Sequence, residues 1–194
     1  MRNALSLAGV LVTAALAAAA PLPKTPHKGM PHFVIQVKPI DDILVAVRHL
    51  GERVGKDHDG EILRDIRQVE GSLDAGLPGW RDALATRKPL GAYADIQPDL
   101  EKSRLVLMLP VKEEKAFVKL VDEQLNRCVF DKDNGCYHTE FTFIFSKIQM
   151  FFRFHGNYAF VTFEDHSAIA ADRKLPAPAD LLLADETALI SARL

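Results

Sequence analysis

The stretch from Gly91 to Gln124, GAYADIQPDLEKSRLVLMLPVKEEKAFVKLVDEQ, leaves the fold little freedom. Leu105 to Leu109 is an unbroken apolar run of strand length. Pro110 closes it, and from Lys112 the apolar residues Ala116, Phe117, Leu120, Val121 and Leu125 recur at helical spacing. The weaker alternation of Ala92 to Ile96, separated from Arg104 to Val111 by a turn containing Pro98, predicts an antiparallel neighbour. A strand pair feeding an amphipathic helix follows, and none of its residues forms a set that does chemistry.

The same order occurs earlier. Phe33 to Lys38 reads as a strand ended by Pro39, and Asp41 or Asp42 can cap a helix with Ile43, Leu44, Val47, Leu50 and Val54 on its buried face. A second helix is expected from about Gly60 to Leu73, with Asp59 as its cap. Gly71 to Pro89 is irregular and holds the single tryptophan, Trp80, which is expected to plug the end of the core. The repeated order of strand, proline, acidic pair and helix suggests a pseudo-repeat with twofold character.

Asn126 to Phe163 is crowded with aromatics and turn signals, which predicts strands and hairpins. Asp131 to Gly135, DKDNG, joins one pair of strands, and Gly156-Asn157 suits a primed turn between FFRF and YAFVTF. Phe141, Phe143 and Phe145 share one face of their strand. One sheet face is expected to meet helices and the other to be partly wet. Beyond Phe163 a proline-broken connection leads to a short helical or irregular segment around Ala179 to Ala184, then a strand from Thr187 to Leu194. The fold class expected is α+β: an antiparallel sheet with two or three amphipathic helices packed on one face, in a single domain over 33–194 that is cut short at its C-terminus.

The N-terminus predicts export. Arg2 precedes an uncharged apolar stretch, Ala4 to Ala20, that ends in small residues before Pro21. A secretory signal peptide over 1–19 with cleavage after Ala19 fits this pattern, and about 17 mostly alanine residues are short for a spanning helix. Residues 20–32 form a proline-rich tether. The localisation expected is periplasmic, cell-surface or extracellular, with membrane contact only through the signal peptide. A formal charge of −2, with bases scattered among acids, gives no footprint for nucleic acid.

Each chemical constellation has a plainer reading. DKDNG lacks calcium-loop spacing, because its glycine comes fifth and Thr142 stands at the twelfth position, so it reads as a hairpin turn. Cys136 and His138 could point the same way along a strand, but no orienting group or oxyanion site accompanies them. His138, Glu140 and His155 could form a surface metal site, although strand histidines usually coordinate nothing. For Cys128 and Cys136, export favours a disulfide and register opposes it. A four-residue loop at Lys132 to Gly135 sets Asp131 opposite Cys136 and Cys128 opposite Thr139, whereas a bridge needs a loop centred on Lys132. No serine elbow, phosphate loop, HExxH or CxxC is present. No catalytic, cofactor-binding or metal residue is therefore assigned.

Four motifs carry a resemblance: KPLGAYADI at 88–96, LVLMLPVKEEKAF at 105–117, DKDNGCYH at 131–138 and FFRFHGNYAFVTF at 151–163. In these, residues 33–194 resemble the N-terminal portion of an uncharacterised group of exported, planctomycete-type bacterial proteins. The relatives are longer, and the shared motifs are structural. The resemblance implies no activity, cofactor or functional residue. The function expected is a non-catalytic envelope or extracellular binding or assembly module, whose partner is an unidentified protein or envelope component. The alternatives are a fragment of an exported enzyme and a metal sensor.

Overall fold

The computed structural model describes residues 31, 33–54, 68, 71, 74–95, 103–143, 146–163, 165–182 and 190–193. The predicted signal peptide and nearly all of the predicted tether lie outside this set, as does the predicted helix from Gly60 to Leu73 except Gln68 and Gly71, both helical. In chain order the elements are β1 (Phe33–Val37), α1 (Ile40–Val54), α2 (Trp80–Ala83), β2 (Leu90–Asp95), β3 (Arg104–Pro110), α3 (Glu114–Gln124), β4 (Val129–Asp131), β5 (Cys136–Phe143), β6 (Ser146–His155), β7 (Tyr158–Phe163), α4 (Pro178–Leu181) and β8 (Ile190–Arg193). The fold class is α+β.

The eight strands form one antiparallel sheet in the order β4-β5-β6-β7-β3-β2-β1-β8. The anticipated hairpins are present. Asp131 pairs with Cys136 across the loop Lys132 to Gly135, and His155 pairs with Tyr158 across Gly156-Asn157. Gly156 and Asn157 have φ of 57° and 61°, the left-handed pair that a primed turn requires. Because β1 and β3 both run antiparallel to β2, they are parallel to one another. A twofold axis normal to the sheet, which would set these two strands antiparallel, therefore does not relate the two strand-to-helix units.

Alternation along the strands divides the side chains between two faces. The first face carries Leu107, Leu109, Tyr137, Phe141, Phe152, Ala159 and Val161, and it packs against α3 through Phe117 and Val121. The Phe117 ring meets those of Phe152 and Phe154 edge-on at 5.4 and 5.8 Å. Such pairs add about 0.5–1.5 kcal/mol to the apolar burial. α2 lies against α3. Trp80 is buried as anticipated, and its Nε1 donates to Asp74 at 2.8 Å. The chain leaving α2 is stitched to the end of β3 by Ala85 N–H to the Pro110 carbonyl and Lys112 N–H to the Ala83 carbonyl, both 2.9 Å.

α1 departs from expectation. Asp41 and Asp42 sit in its first turn, with Pro39 preceding the helix. Ile43 and Leu44 of the predicted buried stripe are only half-buried, and Val47 is exposed. The helical cover of the sheet therefore falls mainly to α3.

The second face is dry over most of its width. Residues 165–182 cross it as a strap, and Ile169, Leu175, Leu181 and Leu182 form one cluster with Val34, Tyr93, Val106, Met108 and Phe160. Two glycines make room. A Cβ on Gly91 would lie 2.6 Å from Leu182 Cδ2, and one on Gly135 would lie 2.8 Å from Ala171 Cβ. Arg153, on this face, donates to the carbonyls of Ile169, Ala170 and Arg173. Among the described residues, the outer corner at β5 and β6 is the part of this face that remains wet.

Candidate functional site

On the wet corner β5 presents Cys136, His138 and Glu140 at alternate positions, and β6 presents Phe151 opposite His138 and Gln149 opposite Glu140. The strap adds His166, so the imidazoles of His138 and His166 flank Phe151 with centroids 6.2 and 5.4 Å from its ring. His138, Glu140, Gln149, Phe151 and His166, together with Asp131, line an open depression of about 400 Å³, while Cys136 lies buried. His166 was not singled out from the sequence. Its place depends on the strap doubling back over the sheet, and Glu164 to Ser167 carries no periodic signal that would reveal this.

The acids of the depression are already engaged. Asp131 Oδ1 accepts from the backbone N–H of Asp133 and Asn134 at 2.9 and 3.1 Å, and Oδ2 accepts from Asn134 Nδ2 at 2.6 Å. The Asn134 side chain foremost, then these loop amides, holds the Asp131 carboxyl below the ordinary range, helped by nearby His138. DKDNG is thus a hairpin loop that binds its own aspartate. Lys147 Nζ donates to Glu140 Oε1 at 2.8 Å, and that bond raises the lysine's pKa.

Cys136 is buried, and burial, reinforced by the Asp131 charge, pushes its thiol up. A thiol shifted in that direction holds its proton at neutral pH and is a poor nucleophile. Cys128 belongs to the helix-side cluster and Cys136 to the strap-side cluster, so they lie on opposite faces of the sheet and both are free. The four-residue loop is the register adopted, and it separates the sulfurs.

His155 is not brought to this corner. It stands at the tip of the β6–β7 hairpin, four residues along β6 from Phe151, which is about 13 Å in a strand. Its ring lies near Phe160. Among the described residues no three His, Cys, Asp or Glu side chains gather closely enough to hold a metal ion. His49, on α1, sits 3.4 Å from Glu52 on the exposed helix surface.

Burial raises Tyr93 and Tyr158 to about 12, and Tyr158 donates its hydroxyl to the Pro89 carbonyl at 3.0 Å. Both tyrosines belong to Gly-x-Tyr motifs, and their shifts reflect packing under the strap. No helix among the described residues is long and apolar enough to cross a membrane. Comparison with protein-family models, with curated proteins and with solved structures finds no match.

Proposed function

We propose that the chain is an exported, non-catalytic binding or assembly module of the bacterial envelope or extracellular space, related to the planctomycete-type group that its motifs resemble. The observation that supports the non-catalytic half is that the polar groups of the β5–β6 corner are taken up by the fold: Asp131 by its own loop, Glu140 by Lys147 and Cys136 by burial. Cys128, Cys136, Tyr93, Tyr158 and Lys147 move up, and Asp74, Asp131 and Asp165 move down. Each shift leads away from neutral pH, whereas general acid–base and nucleophilic catalysis need groups tuned toward it. The polar residues of the β5–β6 corner serve the loop and the sheet surface. The partner is a protein or envelope component, with nucleic acid disfavoured by the scattered charge.

Export is tested by expressing the full chain in a secretion-competent bacterium, fractionating the cells and sequencing the N-terminus. A mature form beginning at Ala20 in the exported fraction is expected, and an intact Met1 form retained in the cytoplasm would defeat the export half. For the other half, chromogenic esters, amides, phosphoesters and glycosides should be turned over no faster than in buffer. A turnover that disappears in Cys136→Ala or His138→Ala would overturn it.

A further inference from the structure

β4 is the terminal strand on its side of the sheet, and among the described residues its outer edge has no partner strand. Natural sheets blunt such edges with short strands, charge, proline or bulges, and β4 is itself only 3 residues long and ends in Asp131. Here the edge presents Val129 at 44 % and Phe130 at 48 % exposure, with Leu125 at 39 % just upstream. Phe130 lies on the helix-side face against Tyr137, with ring centroids 4.9 Å apart, and Val129 points to the other face.

Charge brackets this apolar edge asymmetrically, with Arg127 before it and Asp133 after it, both exposed. Neither has an ion-pair partner among the described residues. An antiparallel pair of β4 strands about a twofold axis at Phe130 sets Val129 opposite Asp131 and Arg127 opposite Asp133 of the second copy. The same contact then occurs twice. Phe130 meets Phe130 at the axis, and the Cys128 N–H, further along the edge, stays with Asp122 Oδ1 of its own chain. We propose that two copies of this chain associate through β4 into one continuous antiparallel sheet. β8, the opposite edge, exposes Ile190, but pairing β4 to β8 would be head-to-tail and would not close. The dimer deepens the assembly reading above and rests on it. A chain recovered processed from the exported fraction yet always monomeric would refute the dimer and leave that reading intact.

Sedimentation equilibrium of the purified chain tests the proposal. The expected result is a reversible species of twice the mass of the processed chain, as fixed by intact mass on the same sample. Val129→Lys and Phe130→Lys should each give a monomer with an unchanged circular dichroism spectrum. Arg127→Asp should raise the dimer Kd about tenfold, because two symmetric charge contacts are reversed together. Adding Asp133→Arg to it should restore wild-type affinity to within about twofold, as expected of a swapped pair. A monomer at all concentrations, a dimer indifferent to Val129→Lys, a charge swap without rescue, or an open series of larger species would each overturn it.

Discussion

Leu182 occupies the space over Gly91, so that a methyl group on that glycine would stand 2.6 Å from Leu182 Cδ2 and 2.7 Å from Met108 Cε. Met108 is fully buried and Leu182 nearly so, which leaves neither side chain an open direction in which to retreat. Gly91→Ala should therefore destabilise the fold by about 1–3 kcal/mol, the usual result of overpacking a filled core. Urea unfolding checks this, and an unchanged midpoint would mean that the strap does not lie tightly on β2.

Arg153 holds the strap by its backbone. Its guanidinium reaches the carbonyls of Ile169, Ala170 and Arg173, a spread that one ammonium group cannot serve. Arg153→Met should cost about 2–3 kcal/mol, since charge-assisted bonds are lost and the carbonyls must find other partners. Arg153→Lys should recover little of it. Hydrogen exchange is the sharper readout: the Ala171 amide, bonded to the Asn134 carbonyl at 3.0 Å, should lose protection before the amides of β7 do.

Asp165 gives the fold an acid-sensitive anchor. Burial alone would raise its pKa and is the largest single influence, but hydrogen bonds from Ser167 and the Arg104 guanidinium at 2.8 Å together hold it below the ordinary 3.8. The unfolded carboxyl therefore takes up its proton first as the pH drops. The stabilisation is fully present above about pH 5, diminishes as the pH falls through 3.8, and is gone below the folded value. Asp165→Asn should be less stable than the wild type at neutral pH, with the difference shrinking as the pH falls through 3.8 and lost below the folded value. A difference independent of pH would show that the side chain acts by shape alone.

Both thiols should stay free even after passage through an oxidising compartment, because the sheet stands between them. Burial first, then the adjacent Asp122, lifts the Cys128 thiol to about 12. A non-reducing intact mass should show no two-hydrogen deficit. An iodoacetamide time course should label the native protein far more slowly than the urea-unfolded chain.

Features encoded within a few residues were legible before any coordinates. The Gly156-Asn157 turn, the four-residue loop at Lys132, the β2–β3 pair and the β3–α3 junction follow from turn chemistry, alternation and the helical period. Features set by distant contacts were not. Ile169, Leu175, Leu181 and Leu182 recur at no single period, so nothing local announces that they cover a sheet face. The strap's return is also what brings His166 to Phe151, and it leaves β8 on the far side of β1. The stripe of α1 had the right period, but its described residues are at best half-buried, because periodicity gives a face and not its occupant.

The strap has a consequence for the order in which the molecule can be completed. β1, β2, β3 and β7 are all made before residue 165, yet among the described residues the cover on one of their faces comes from 165–182. A nascent chain halted at Phe163 would display Val106, Met108 and Phe160 to water, the kind of surface that aggregates. Contacts such as Gly91 with Leu182 close a long loop, which slows folding in proportion to the entropy surrendered. Completing that face thus falls to a mostly irregular segment, helical only at α4, that is made after the strands it covers.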